Sequence, residues 1–230
     1  MGLFSRRPKD SGSVPEEPVA PPEPGAPVRE RGPWDVSEVD GIGRRVDLGA
    51  IWLPPRDGME LRLEVDRGSK VVTAAAVAIG ESRIQVQAFA APRSEGLWDE
   101  IRSELAESVT KQGGTVDDVP GPFGRELLAR LPVRTPEGRT GHRPVRFLGV
   151  DGPRWFLRAV IGGRAAVDAS AAEDVEALLA DVVVVRGPEP RPPRDLLPLR
   201  LPGRGPAGPA DPQRPSIDAL RPGPTITETR

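Results

Sequence analysis

Prolines divide this sequence into a central segment and two flanks. Of the 29 prolines, eight lie in residues 1–33 and twelve in residues 187–230. All four tryptophans and four of the five phenylalanines lie between these flanks. Proline interrupts helices and sheets, whereas aromatic side chains dominate protein cores. The sequence therefore predicts one folded domain at residues 34–186, which is long enough to bury a core without disulfides or metals.

The two flanks predict different behaviour. Residues 1–33 are rich in proline, acidic and small residues, and residues 203–230 have no aromatic residue. Neither segment buries enough apolar surface to offset the entropy of the chain, so we expect two disordered arms, the first partly in polyproline II. Residues 187–202 instead carry four leucines, Leu196, Leu197, Leu199 and Leu201. We expect this third segment to be an extended arm docked on the domain.

The composition argues against the commonest catalytic and metal chemistry. The sequence has no cysteine and a single histidine, His142. It therefore has no thiolate for nucleophilic catalysis or metal binding, and too few histidines for a His-based zinc site. A catalytic triad built on His142 would need partners that the sequence does not identify. The sequence predicts no catalytic residue, no metal and no cofactor.

Charge and hydropathy bear on partners and location. Residues 34–186 carry 20 basic and 24 acidic residues, and this net charge of −4 disfavours nucleic-acid binding. No stretch approaches the roughly 20 apolar residues that span a bilayer. The first residues also lack the apolar region of a signal peptide. We therefore expect a cytoplasmic protein without membrane insertion.

The apolar pattern of the domain predicts an α+β fold. Alternation of apolar and polar residues marks strands, and apolar residues at helical spacing from Leu97 to Val109 mark a helix that Ser94 caps. Strands are predicted at 61–65, 71–79, 83–91, 126–133, 144–150, 154–161 and 182–185, with an edge strand or extended lead-in at 46–53. Helices are predicted at 95–111 and, from a capping box at Ser170, to about Asp181. We expect an antiparallel sheet with two amphipathic helices packed on it, and the order of elements suggests two pseudo-repeated strand–strand–helix halves.

Arginines form the first candidate ligand site. Arg154 and Arg158 lie four residues apart in a predicted strand, so their side chains share one face, and Arg146 on the preceding strand lies across from them in one possible register. Three guanidinium groups on one face suit a phosphate or a carboxylate. The alternative is a solvated face on which the arginines pair with acidic residues.

The tryptophans fall into two pairs. Trp98 and Trp155 lie on the apolar faces of predicted elements and are interpreted as core residues. Trp34 and Trp52 lie near the boundary with the N-terminal flank, where they are candidates to anchor it.

Four phrases carry a resemblance to a known family. They are AFAAPRS at 88–94, GPFGREL at 121–127, RFLGVDGPRWFLR at 146–158 and VVRGP at 184–188. Together they resemble the actinobacterial domain of unknown function 3710 family, over about residues 34–202. The resemblance implies a bacterial cytoplasmic protein and brings no activity, cofactor or site residue.

Two functional hypotheses remain open, with nucleic-acid binding as a disfavoured third. The first is a non-catalytic protein-binding or adaptor domain, whose proline-rich arms adjust its reach. The second is a small-anion-binding or hydrolytic domain that uses Arg146, Arg154 and Arg158 with acids such as Asp117, Asp118 or Asp151. A concave pocket that gathers the arginines opposite an acid would favour the second hypothesis.

Overall fold

The computed structural model describes residues 30–93, 96–134 and 140–203. Residues 1–29 of the predicted N-terminal arm and residues 204–230 of the predicted tail lie outside these ranges, as does Ser94. The described strands are β1 (Trp34–Asp35), β2 (Val46–Asp47), β3 (Ile51–Leu53), β4 (Met59–Val65), β5 (Val72–Ile79), β6 (Ser82–Ala90), β7 (Thr115–Gly121), β8 (Gly124–Arg134), β9 (Thr140–Gly152), β10 (Trp155–Gly163) and β11 (Val183–Val184). The described α-helices are α1 (Trp98–Lys111) and α2 (Ala169–Ala180).

The main sheet has seven strands in the order β4-β5-β6-β10-β9-β8-β7. Each neighbouring pair is antiparallel. Short turns connect β4 to β5, β5 to β6, β7 to β8 and β9 to β10, as expected for hairpins. Together with the two helices, this sheet confirms the predicted α+β class.

The two helices cover opposite faces of the main sheet. Helix α2 packs on the face that carries Ile84, Leu157 and Ile161. Helix α1 packs on the face that carries Phe89, Phe147 and Phe156, mainly over β7, β8 and β9. In a true repeat, β6 of the first half would correspond to β10 of the second half. These two strands are antiparallel neighbours, so the two-fold axis that exchanges them would be perpendicular to the sheet. Such an axis would place both helices on the same face. The suggested repeat therefore does not extend to the helices.

A small second sheet lies beside α2 on the same face of the main sheet. Its strand order is β1-β11-β3-β2, with β1 parallel to β11 and the other pairs antiparallel. Ile51, Leu53 and Val184 point inward and belong to the same buried cluster as α2. Asp35 also points inward, where its Oδ2 accepts a hydrogen bond from the Trp155 indole at 2.7 Å.

Residues 194–200 run along both sheets. The backbone N–H of Arg194 donates to the carbonyl of Ala90, and that of Leu197 donates to the carbonyl of Ala88 on β6. Further on, the N–H of Arg200 donates to the carbonyl of Leu48 beside the small sheet. Leu196 and Leu197 are fully buried, one in each of the two apolar clusters. This segment thus ties the two sheets together.

At the start of each helix an aspartate accepts hydrogen bonds from the free backbone N–H groups. Asp151, at the end of β9, accepts hydrogen bonds from the N–H groups of Leu97 and Trp98 at 2.7 and 3.2 Å. Helix α2 is capped by Asp168, which accepts from the N–H of Ala171, and the predicted cap at Ser170 is wrong. Serine and aspartate are about equally good caps, so sequence preference alone does not separate them.

Candidate binding sites

The three predicted arginines do not share a face. The β9–β10 register places Arg146 opposite Ile161 and Arg158 opposite Gly149. Ile161 and Arg158 are three residues apart on β10, so Arg146 and Arg158 lie on opposite faces of the sheet. Arg154 lies in the turn before β10. The prediction of a common face is wrong because of the two-residue turn between Gly152 and Trp155. With this turn, each even-numbered residue of β9 lies opposite an odd-numbered residue of β10, so even-numbered residues of the two strands point to opposite faces.

Arg146 lies in a buried ion network between the main sheet and α2. Its guanidinium contacts the carboxylate of Glu126 at 2.9 Å and that of Glu176 at 2.7 Å. Burial opposes the charged form, but the hydrogen bonds that Arg146 donates to both carboxylates outweigh it and raise the pKa of Arg146 above its ordinary value. With both acids in place, Arg146 joins β8, β9 and α2 and has its charge compensated within the chain.

Arg158 lies on the other face and has no carboxylate within 4.0 Å among the described residues. Its Nε donates to Gln87 Oε1 at 3.1 Å, and its Nη2 donates to the same oxygen. The Phe89 ring lies 5.9 Å from its guanidinium carbon. Burial lowers the pKa of Arg158 to about 10, and the charge of Glu64 only partly opposes this effect.

Arg154 lies close to Arg186, which in turn lies close to Arg191. Its carbonyl accepts from Arg186 Nε at 3.1 Å, and Arg186 Nη1 donates to the carbonyl of Glu189. Arg191 pairs with the Glu189 carboxylate at 2.9 Å. Burial, followed by the charges of Arg154 and Arg191, lowers the pKa of Arg186. Arg186 belongs to the VVRGP phrase, but nothing in the sequence places it beside the β9–β10 turn.

The acids proposed for hydrolytic chemistry are engaged in the fold. Asp118 contacts Arg102 and Arg125 at 3.1 and 2.8 Å, and Asp117 lies 3.5 Å from Arg130. Asp151 caps α1. Within residues 30–93, 96–134 and 140–203, no three acidic or histidine side chains are grouped as metal ligands would be. These contacts account for the three aspartates structurally.

Two tryptophans lie on the outer face of the small sheet. Trp34 on β1 is the register partner of Val183 on β11, which in turn is the partner of Trp52 on β3. Val183 is fully buried, whereas Trp34 and Trp52 are half-buried. We call Trp34, Val183 and Trp52 the tryptophan face. The other pair behaves as predicted, since Trp98 and Trp155 are buried core residues.

A shallow cleft of about 600 Å³ adjoins Trp34. Its lining residues are Trp34, Glu38, Val39, Asp40, Gly41, Gly43 and Arg45. The Nε of Arg45 donates a hydrogen bond to the carbonyl of Asp181 at 2.8 Å. Asp40 is exposed, and Glu38 accepts from the backbone of Asp35 at 2.6 Å. The cleft therefore has two carboxylates against one guanidinium and is weakly acidic.

No helix in the described part of the chain is long and apolar enough to cross a membrane.

The comparisons with known proteins identify a family. A search of the curated proteins finds no match. A family model described as "Protein of unknown function (DUF3710)" matches residues 32–206, which include both sheets, both helices and the segment that joins them. The chain therefore belongs to the domain of unknown function 3710 family.

Proposed function

We propose that this chain is a non-catalytic protein-binding domain of a bacterial cytoplasmic adaptor. In this proposal the tryptophan face docks an extended, basic, proline-rich segment of a partner protein. The observation that carries the proposal is the position of Trp34 and Trp52 on either side of Val183, on the outer face of the small sheet.

The two indoles are placed as binding anchors commonly are. Tryptophan is enriched among the interface residues whose truncation costs the most binding energy. Trp34 and Trp52 both keep part of their surface exposed, although the inner face of the same sheet is fully packed. Their row on a short sheet is rigid, so little conformational entropy is lost when a partner covers it.

The shape and charge of the surface favour a particular occupant. Proline-rich segments in polyproline II dock on shallow surfaces lined by aromatic rings, and they are already extended before binding. The cleft beside Trp34 is shallow, and the carboxylates of Glu38 and Asp40 favour basic residues next to the prolines. A partner segment with arginines or lysines flanking prolines fits both requirements.

The test is capture of a partner by the tagged full-length chain in its native host, compared between the unchanged chain and Trp52→Ala. Val167→Ala is the matched control, because Val167 is 70% exposed and belongs to neither apolar cluster. Truncation of an anchor tryptophan costs about 2 kcal/mol or more, which is roughly a 30-fold loss of affinity. We expect the partner to be retained by Val167→Ala and lost by Trp52→Ala.

A purified system gives a second readout. The full-length chain is titrated with a short synthetic peptide of prolines flanked by arginines, and binding is followed by tryptophan fluorescence. Weaker binding by Trp52→Ala, with an unchanged melting temperature, supports the proposal. Equal capture and equal peptide binding by the Trp52→Ala and Val167→Ala variants would rule out the tryptophan face as the docking site.

A further inference from the structure

Arg158 differs in its partners from four other arginines whose side chains are largely covered by the fold. Arg191, Arg146, Arg102 and Arg194 have side chains that are 8, 11, 14 and 16% exposed, and each has a carboxylate oxygen within 3.1 Å. Arg158 as a residue is 7% exposed and has only the neutral amide of Gln87 within hydrogen-bond distance. A buried cation without a counter-ion costs several kcal/mol. Arg158 is the most deeply buried arginine of the described residues, and its lack of a paired carboxylate points to an anion supplied from outside the domain.

The hydrogen bonds of Arg158 leave one edge of the guanidinium available. Gln87 Oε1 accepts two hydrogen bonds from the side of the guanidinium formed by Nε and Nη2. The other Nη2 proton and both Nη1 protons have no acceptor among the described residues. Arg143 Nε is the one fully buried side-chain nitrogen or oxygen in the described ranges without a partner, so Nη1 of Arg158 is still in contact with solvent. The Nη1–Nη2 edge has the geometry that binds a carboxylate or phosphate through two parallel hydrogen bonds.

The orientation of the guanidinium is fixed by the sheet. Gln87 and Arg158 are register partners on β6 and β10, so their side chains lie on the same face. Gln87 Nε2 donates to the carbonyl of Thr73 at 3.0 Å, which leaves its oxygen facing Arg158. This chain of contacts holds the donors in place before any ligand arrives, which lowers the entropic cost of binding.

The surface beside Arg158 is the part of the sheet that α1 leaves uncovered. We call it the open face. It is formed by alternate residues of β4, β5 and β6, namely Glu60, Arg62, Glu64, Ala76, Ala78, Arg83 and Gln85. Arg62 and Arg83 are exposed, and the alanines between them are half-buried. The Arg62 guanidinium lies 3.2 Å from the Glu60 carboxylate, so Arg62 has its charge compensated on this face. The carboxylate of Glu64 accepts a hydrogen bond from Gln85, which holds it beside β6.

We propose that Arg158 is the primary donor of an oxyanion site at the border of the open face. The ligand is a small molecule with a carboxylate or phosphate group, which binds the Nη1–Nη2 edge of Arg158, and the exposed Arg83 adds positive charge beside it. This site lies on the face of the main sheet opposite the small sheet, and it stands independently of the tryptophan face.

The decisive variant is Gln87→Glu in the full-length chain. This change keeps the shape of the side chain and gives Arg158 an internal carboxylate, so the site no longer needs an external anion. Gln112→Glu adds the same charge at an exposed position after α1 and serves as the control. Binding of inorganic phosphate and of succinate is measured by calorimetry at constant ionic strength, with chloride as the reference salt.

We expect the unchanged chain and Gln112→Glu to bind at least one of the two probes. Gln87→Glu should bind it at least about tenfold more weakly, because the new carboxylate compensates the charge of Arg158 and repels the anion. Arg83→Gln should weaken binding about two- to threefold through the loss of a nearby charge. Preference for phosphate or for succinate identifies the chemical class of the ligand. No binding of either probe by the unchanged chain, or equal binding by Gln87→Glu, would overturn the proposal, and thermal unfolding of each variant verifies that it is folded.

Discussion

The cap that Asp151 provides for α1 can be tested as a coupling between two distant parts of the sequence. Asp151 ends β9, and its two carboxylate oxygens accept from the N–H groups of Leu97 and Trp98 at 2.7 and 3.2 Å. A Cβ added to Gly96 would lie 2.5 Å from Asp151 Oδ2. Both contacts predict that the helix start and the β9–β10 turn stabilise each other.

The expected magnitude follows from the two hydrogen bonds. Replacing a capping residue by alanine costs ~0.5–2 kcal/mol, and a hydrogen bond to a charged acceptor is worth ~1.5–3 kcal/mol. These figures describe the same contacts and do not add, so we expect Asp151→Ala to lower the free energy of unfolding by about 2 kcal/mol. In a domain of this size the melting temperature should fall by about 4–8 °C.

The assay is urea unfolding of the full-length chain, followed by circular dichroism, over a double-mutant cycle. Gly96→Ala should destabilise the unchanged chain, because its methyl group displaces the Asp151 carboxylate, and should cost much less in the Asp151→Ala background. Asp57→Ala is the control, since Asp57 is exposed and makes no side-chain hydrogen bond among the described residues. Additive effects of Gly96→Ala and Asp151→Ala, or a loss below about 0.5 kcal/mol for Asp151→Ala, would refute the reasoning.

Three further predictions concern other parts of the fold. Arg154 has a φ of 59°, which is strained for a residue with a Cβ. Arg154→Gly should therefore raise the free energy of unfolding, measured by urea unfolding, by about 0.5–1 kcal/mol. A decrease would mean that the Arg154 side chain stabilises the fold by more than the strain destabilises it. Leu197→Ala should lower the free energy of unfolding by about 2–5 kcal/mol, because Leu197 is fully buried. Leu201 is 44% exposed, so Leu201→Ala should change the free energy of unfolding little. The hydrogen bond from the N–H of Ala171, and to a smaller extent the one from Arg164, lower the pKa of Asp168 below its ordinary value of 3.8. The ionised carboxylate therefore stabilises the fold above that pH, and this stabilisation is lost as the pH falls below it. Acid unfolding followed by circular dichroism should therefore show a smaller acid-induced loss of stability for Asp168→Asn, and an unchanged acid dependence would contradict the role of the cap.

The elements that the sequence predicts correctly have one face against the core and one against solvent or small residues. Strand β4 shows this alternation clearly, and α1 shows the helical spacing of buried residues from Trp98 to Val109. The start of α1 differs from the prediction because its cap comes from Asp151, more than 50 residues later. Local patterns identify an element well and its ends less well when a distant residue satisfies the backbone.

Long-range pairing explains what the sequence does not predict. Strand β7 includes Asp117, Asp118 and Pro120 and has no apolar alternation, because it is an edge strand paired only with β8. Strand β1 has two residues, and its parallel pairing with β11 joins segments that are about 150 residues apart. Whether Arg146 and Arg158 lie on the same face of the sheet also depends on the position of the β9–β10 turn. A register shift of one residue would bring the two arginines onto the same face.

The segment that ties the two sheets has a consequence for synthesis on the ribosome. All strands of the main sheet lie between residues 59 and 163, whereas β11 and residues 194–200 come later. A nascent chain that has emerged up to β10 can pair every main-sheet strand, but the apolar face that carries Ile84 and Leu157 still lacks much of its cover. Until the last segment emerges, this intermediate exposes a face suited to chaperones or to premature association with neighbouring chains.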